Sequence, residues 1–505
     1  MYRLRRQVYL DNNATTQVAV DVRKTISRIL KHSYGNPSSL YRVARDSGAV
    51  LAESRQQVAQ TINAKPEEIY FTGSASEANN QVLKALARSF YPQKDTIIST
   101  PIEHPSVLKT LEFLSATGIK VLYCPVDSQG RVILTELEKM IEPRTFLVCV
   151  MLANNETGVI QDLRCIREMT AARQVLLMSD CVQALGKIPV DVQSFGLDYA
   201  VFSAHKVHGP KGAGALYVRE GALISALIHG GHQENGLRAG TESIHNIAGL
   251  AAACRHVPRM LAASEKITLL KNMLLAGLKD MLPGLKVNSP EKECLPNTLN
   301  LTFPGFDNAA FMGFLDYHGI AVSAGSACNT QINEPSPVLK AIGLTDVEAR
   351  QTLRISLSAK TSAKDIRYVL KVMRDYLQKK LSPVAMISPG QLDENMLFNP
   401  DLYILDIRTW YDRKILKSLP NSHEGSLVFL KKYLAAIPKE KNIVLVCQAG
   451  LDSPVAAYYL RSKGFRKVGF LMGGLAAWRL FHPDLYAKFG GKNEITLDEP
   501  MFNHK

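Results

Sequence analysis

Short apolar runs that each stop at a polar residue, with helical patterns between them, restrict the possible folds of this 505-residue chain more than any other feature. DTIIST (95–100) runs into Glu103 and His104, TFLVCVML (145–152) into Asn154 and Asn155, VLLMS (175–179) into Asp180, and DYAVF (198–202) into Ser203, His205 and Lys206. Short β-branched runs separated by helical patterns read as parallel strands of an α/β sheet. Ligands of such sheets collect outside the carboxyl ends of the strands, so the four polar ends are expected to converge on one crevice.

The alternation covers about residues 15–260, which predicts a large doubly wound α/β domain. From 261 to 380 the pattern changes to a helix (263–281), a strand (298–303), a loop holding Cys328, a strand (352–357) and an amphipathic helix (363–379). That predicts a small α+β domain, completed by the N-terminal segment. Two prolines in KKLSPVAMISP (379–389) mark a linker, taken as 381–389. A fresh α/β pattern fills 390–505, with strands LYILDIR (402–408) and NIVLVC (442–447). A chain this long exceeds what one core supports.

The formal charge of +14 is spread along the chain, without zinc-finger spacing or aromatic RNA-binding signatures, so direct nucleic-acid binding is not expected. Eight cysteines without CxxC argue against a disulfide framework or a structural metal site, and point to a reducing compartment. Cys149, inside a strand-like run, reads as a small buried hydrophobe. No apolar stretch reaches about 18 residues, which argues against a spanning helix. With no convincing targeting peptide at the start, a cytoplasmic protein is expected.

The residues at the crevice suggest chemistry. In SAHKVHGPKG (203–212), Lys206 stands at a strand end beside a hydroxyl and an imidazole, placed to form a Schiff base with a phosphate-bearing aldehyde such as pyridoxal phosphate. Gly73–Glu77 follows the strand-like IYFT and opens a helix, an arrangement suited to an anion. Ser76-x-x-Asn79 is equally the pattern of an ordinary helix cap. Asp180 is placed to pair with a protonated pyridine nitrogen, and His104 to stack on a ring or move protons.

These segments resemble the pyridoxal-phosphate cysteine desulfurases of the NifS/IscS kind, within the class V aminotransferase-like group. The matching pieces include YLDNNATT (9–16), SASEANN (74–80), EHPSV (103–107), NNETG (154–158), DCVQALGK (180–187), RAGTES (238–243), SAGSACN (323–329) and LRISLS (353–358). The resemblance implies a fold-type I enzyme and a homodimer. Lys206 would hold the cofactor, His104 stack on its ring, Asp180 meet the pyridine nitrogen and Gln183 the phenolic oxygen. Ala75, Ser76, Ser203 and His205 would hold the phosphate, with Thr241 reaching across from the second subunit. Asn155 and Arg354 would bind the substrate carboxylate; Arg354 taken alone could equally be a strand-end charge. Cys328, on an extended loop, would take sulfur from L-cysteine as a persulfide and release alanine. A selenocysteine lyase or an aminotransferase of the same fold is the alternative.

The C-terminal unit resembles a rhodanese-like domain through LDIR (405–408), HEGS (423–426), VCQAGLDSPVAAYYLRSKGF (446–465) and GGLAAW (473–478). The resemblance makes Cys447 a sulfane-sulfur carrier, although Asp452 stands where arginine is usual. Cys328 would pass sulfur to Cys447 and on to acceptor proteins, either an iron–sulfur scaffold or enzymes that thiolate cofactors or tRNA. A docking module without catalysis is the alternative for this unit.

Overall fold

The computed structural model describes residues 6–306, 308–324, 335–378, 384–450 and 452–489. Cys328 and residues 381–383 of the expected linker lie outside the described residues.

After β1 (Val8–Tyr9) come β2 (Ile69–Thr72), β3 (Thr96–Ser99), β4 (Lys120–Tyr123), β5 (Thr145–Cys149), β6 (Leu176–Asp180), β7 (Tyr199–Ser203) and β8 (Gly214–Val218). Strands β2 to β8 form one sheet in the order β2-β8-β7-β6-β5-β3-β4. Strands β4, β3, β5, β6 and β7 run parallel. Every residue of β3, β5, β7 and β8 is buried, as helices on both faces require. Cys149 is fully buried among them, and burial pushes its thiol well up, so it packs as an inert hydrophobe.

The expectation of a parallel sheet needs one correction, because β8 is antiparallel to both β7 and β2. Residues 204–213 are too few for a crossover connection, which takes about a dozen or more, so the chain must turn back. The register then does something useful. Gly214 pairs with both Ser203 and Thr72, which sets the carboxyl ends of β7 and β2 level on either side of it.

The second layer is the antiparallel sheet β12-β10-β9, built from β9 (Lys286–Val287), β10 (Thr298–Thr302) and β12 (Thr352–Ser356). Strand β11 (Ile320–Ala321) pairs with β1, and Asp11 bridges to Ser356, which stitches the N-terminal segment to this layer. Helix Ser264–Met281 turns Ile267, Leu270, Leu274 and Leu278 inward, and helix Ala363–Gln378 turns in Ile366, Val369, Val372 and Met373. These positions recur every three or four residues, the helical period that puts them on one stripe. Each such burial contributes roughly 1.5–3 kcal/mol as an upper estimate.

The last sheet is fully parallel, in the order β13-β17-β16-β14-β15, from β13 (Ala385–Ile387), β14 (Leu402–Asp406), β15 (Ser422–Glu424), β16 (Asn442–Val446) and β17 (Val468–Leu471). Strand β13 falls inside the segment expected to be linker. Its backbone pairs with β17 as the edge of the sheet, an outcome that proline-based punctuation could not foresee.

This unit packs on the small α+β layer. Helix Asn308–Tyr317 lies along helix Asp452–Ser462, with Phe314 edge-on to Tyr458 at 5.3 Å and Tyr317 Oη donating to Ser462 Oγ at 3.1 Å. A Cβ on Gly313 would stand 2.5 Å from Cβ of Pro454, so glycine is what lets these helices approach. Among the described residues no helix is long and apolar enough to cross a membrane.

Candidate active site

Parallel pairing places the carboxyl ends of β3, β5, β6 and β7 at one edge of the large sheet, and the level register adds that of β2. Lys206 ends a single turn, Ala204–Lys206, that follows β7 directly. Its Nζ donates to the carbonyl oxygens of Asn13 at 2.6 Å and Ala14 at 2.8 Å. Asp180, the last residue of β6, is 5% exposed; its Oδ1 accepts from Val182 N–H and its Oδ2 from Asn79 Nδ2 at 2.9 Å.

His104 caps the helix Pro105–Ser115, with Ser106 N–H donating to its Nδ1. A ring nitrogen that accepts a backbone N–H carries no proton, so the neutral ring holds its proton on Nε2. Burial lowers the pKa of His104, Asp180 opposes that shift and Lys206 adds to it, so all three share one electrostatic environment. Asn79 ties the first two together. Its Nδ2 donates both to Asp180 and to Ser106 Oγ, which in turn meets His104 Nδ1 at 2.8 Å.

Helix Ala75–Phe90 starts level with Ser203, at the end of β2. Ser74, not Ser76, is its cap: Ser74 Oγ accepts from Glu77 N–H, which leaves the exposed Ser76 hydroxyl uncommitted to capping. His205 lies with Nδ1 3.1 Å from Thr15 Oγ1, and burial, followed by the Lys206 charge, lowers its pKa to about 4. Thr241 is exposed in the loop before helix Ile244–Cys254.

Arg354 rises from the middle of β12 with its side chain 1% exposed, so it is no strand-end surface charge. Nη2 pairs with Asp11 Oδ1 at 2.8 Å, Nη1 donates to the carbonyl of Asn155, and Nε has no partner among the described residues. A buried guanidinium with an unused donor is suited to a carboxylate. Nearby Glu156 is fully buried, and burial raises its pKa while Ser336 Oγ donates to Oε2 at 2.7 Å.

Sequence reasoning gave no role to Asn13, yet it is the hub of the site. Its carbonyl accepts from Lys206 and from Gln183 Nε2, its Oδ1 from Lys187 Nζ and Asn297 Nδ2, and its Nδ2 donates to Asn155 O and Thr298 Oγ1. The usable signal was the NNATT motif itself. Glu103 and Asn154, counted among the polar strand ends, turn inward instead: Glu103 Oε1 accepts from Thr100 Oγ1 and Met151 N–H, and Asn154 Oδ1 from the N–H groups of Glu156 and Thr157.

The donor set fits pyridoxal phosphate. It offers an amine at Lys206, a buried carboxylate at Asp180 for the ring nitrogen, and a helix N-terminus flanked by hydroxyls for the phosphate.

In the C-terminal unit Cys447 follows β16, is 2% exposed, and has its Sγ 3.3 Å from Ser453 Oγ. Gly450, Gly473 and Gly474 all have positive φ, and a Cβ on Gly474 would stand 2.6 Å from the Gly450 nitrogen. Glycine alone lets the two loops touch. Arg408 and Asp406 form a buried pair at 2.7 Å, and Arg408 Nη1 also donates to Gln448 Oε1 beside the thiol. Burial, aided by Asp412, raises the pKa of Asp452 at the start of the following helix.

The model of the class-V aminotransferases matches residues 8–369, and that of the rhodanese-like domain matches residues 388–480. The cysteine desulfurase IscS of Clostridium botulinum (strain Kyoto / Type A2) is 38% identical over 386 residues, which cover 75% of this chain and 97% of that one. Among solved structures, a NifS-like protein is 39% identical with a TM-score of 0.70, covering 74% of this chain and 100% of that one. SspA in complex with cysteine is 36% identical with a TM-score of 0.64, covering 70% and 99%. The chain therefore belongs to the class-V aminotransferase family of pyridoxal-phosphate enzymes, fold type I, and carries a rhodanese-like domain behind the catalytic fold.

Proposed function

We propose that this protein is a cysteine desulfurase that takes sulfur from L-cysteine as a persulfide on Cys328 and hands it to Cys447. The observation that carries the reading is the meeting of Lys206, Asp180 and His104 at one sheet edge, with the buried Arg354 and its unused Nε beside them. Pyridoxal phosphate, when bound, supplies an electron sink next to the substrate's α-carbon.

The chain's own groups do the rest. Arg354 and Asn155 bind the substrate carboxylate, with Asp11 pairing with Nη2 of the same guanidinium. Ala75, Ser76, Ser203 and His205 would hold the phosphate; a ring with a pKa near 4 stays neutral at physiological pH and offers one N–H. Thr241 of a second copy completes that cradle in a homodimer. Asp180 would hold the ring nitrogen and Gln183 the phenolic oxygen, and His104, with its proton on Nε2, would stack on the ring. Lys206 would carry the cofactor, and its Nζ, when free, would hold or move the α-proton of the substrate.

Cys328 thiolate attacks the substrate sulfur. The S–S bond forms as the C–S bond breaks, and the electron pair leaves with the β-carbon, which takes a proton and departs in alanine. Cys447 thiolate then attacks the outer sulfur of that persulfide, which restores the Cys328 thiolate. Asp452, an acid where arginine is usual, removes a positive contribution to the binding of small anions such as thiosulfate and leaves a protein persulfide as the donor. The sulfur goes on to an iron–sulfur scaffold or a thiolating enzyme in the cytoplasm. Cys328→Ser tests the reading: the holoenzyme keeps its cofactor absorbance and loses sulfide release from cysteine, whereas undiminished sulfide and alanine would contradict it.

A further inference from the structure

Lys187 is a second lysine at the site, and the reaction above gives it no part. It is 9% exposed, four residues after Gln183 in the turn that follows β6. Its Nζ donates to Gln183 Oε1 and, at 3.1 Å, to Asn13 Oδ1, both neutral amide oxygens. On the other side of the same amide, Gln183 Nε2 donates to the Asn13 carbonyl at 2.9 Å. Gln183 is thus read from both edges, by a donor on its oxygen and an acceptor on its nitrogen. Turning the amide over would set oxygen against the Asn13 carbonyl and would make the Lys187 amine give up a donor for its lone pair, so the Asn13 hydrogen bond is lost outright inside a buried network.

A primary amide nitrogen carries two hydrogens, and Asn13 takes one. Among the described residues no acceptor takes the second, which is left for the ligand. We propose that Lys187 is a positioning residue that locks the Gln183 amide so that an N–H, never the carbonyl, meets the phenolic oxygen of the cofactor. This rests on the assignment of Gln183 to that oxygen made above. Burial, followed by the charges of Lys206 and Arg354, pushes the Lys187 amine well below its usual range, and such an amine still donates.

The lysine–cofactor link titrates visibly, and an N–H donated to the ring oxygen lowers its apparent pKa, so absorbance against pH of the holoenzymes reads the orientation. Gln183→Leu raises that pKa by about one unit, the tenfold effect of losing one hydrogen bond to a charged oxygen. Lys187→Met raises it by at least half as much, and the double variant shifts no further than Gln183→Leu alone. An unchanged pKa in Lys187→Met, or a double variant in which the shifts add, overturns the proposal, because additivity means that Lys187 acts through its charge on Lys206. No shift in Gln183→Leu overturns the assignment of Gln183 itself, and the proposal with it. Neutron diffraction of the wild-type holoenzyme needs no variant: deuterium on the Gln183 atom facing the ring oxygen supports the proposal, and deuterium facing Lys187 overturns it.

Discussion

Glu103 shows how costly a charge is behind this crevice. Full burial, with the Asp180 charge adding to it, raises its carboxyl to about 8, and Oε2 has no partner among the described residues. A carboxyl whose folded pKa lies above its unfolded value of 4.5 binds more protons in the folded state between those limits. Its contribution to stability is therefore complete below pH 4.5 and is lost as pH rises through about 8. Glu103→Gln keeps the shape without the charge. Thermal unfolding should find this variant more stable at pH 8, by about 1–3 kcal/mol, with the advantage gone at pH 5; an advantage that stays constant with pH would contradict a neutral buried carboxyl. Residues such as Lys206, Asp180 and Ser203 were legible in the sequence because each ends an apolar run, and strand ends gather at one edge by geometry alone. Asn13 and Asn79 were not, because their partners are distant in the chain: Asn13 to Asn297 spans 284 positions and Asn79 to Asp180 spans 101. No local pattern reports such pairings.

At the scale of elements, the sheet edge depends on how closely β8 fits under the loop after β2. A Cβ on Gly214 would lie 2.7 Å from the carbonyl carbon of Ser74 and 3.0 Å from the nitrogen of Ala75, both backbone atoms with no freedom to give. Gly214→Ala therefore pushes the start of helix Ala75–Phe90 outward and weakens phosphate anchoring. Equilibrium titration of the apoprotein with pyridoxal phosphate should give at least a tenfold higher Kd, while far-ultraviolet circular dichroism stays unchanged; an unaltered Kd would mean the loop is not part of the cradle. Periodicity made the strands and the large helices readable to within a few residues. The reversal at β8 was harder, since its apolar run looks like its parallel neighbours and only the shortness of residues 204–213 gives it away. The edge strand β13 was missed for a related reason: its pairing with β17 lies some eighty residues downstream.

For the whole molecule, the catalytic fold and the C-terminal domain share one apolar cluster across helices Asn308–Tyr317 and Asp452–Ser462, so the second domain is docked, not strung on a tether. Gly313→Val puts side-chain carbon where Pro454 already is and should cost about 1–3 kcal/mol of docking, the usual penalty for overpacking. Limited proteolysis should release the C-terminal domain severalfold faster in that variant; an unchanged rate would show that the contact does not hold the domains together. Docking holds Cys447 in a fixed place relative to the catalytic fold, which a sulfur relay can exploit. The relay is tested most directly by incubating the holoenzyme with sulfur-labelled cysteine and mapping the label by mass spectrometry. Label is predicted on both Cys328 and Cys447 in the wild type, on Cys328 alone in Cys447→Ala, and on neither in Cys328→Ser; Cys447 labelled as fully in Cys328→Ser as in the wild type would contradict the account.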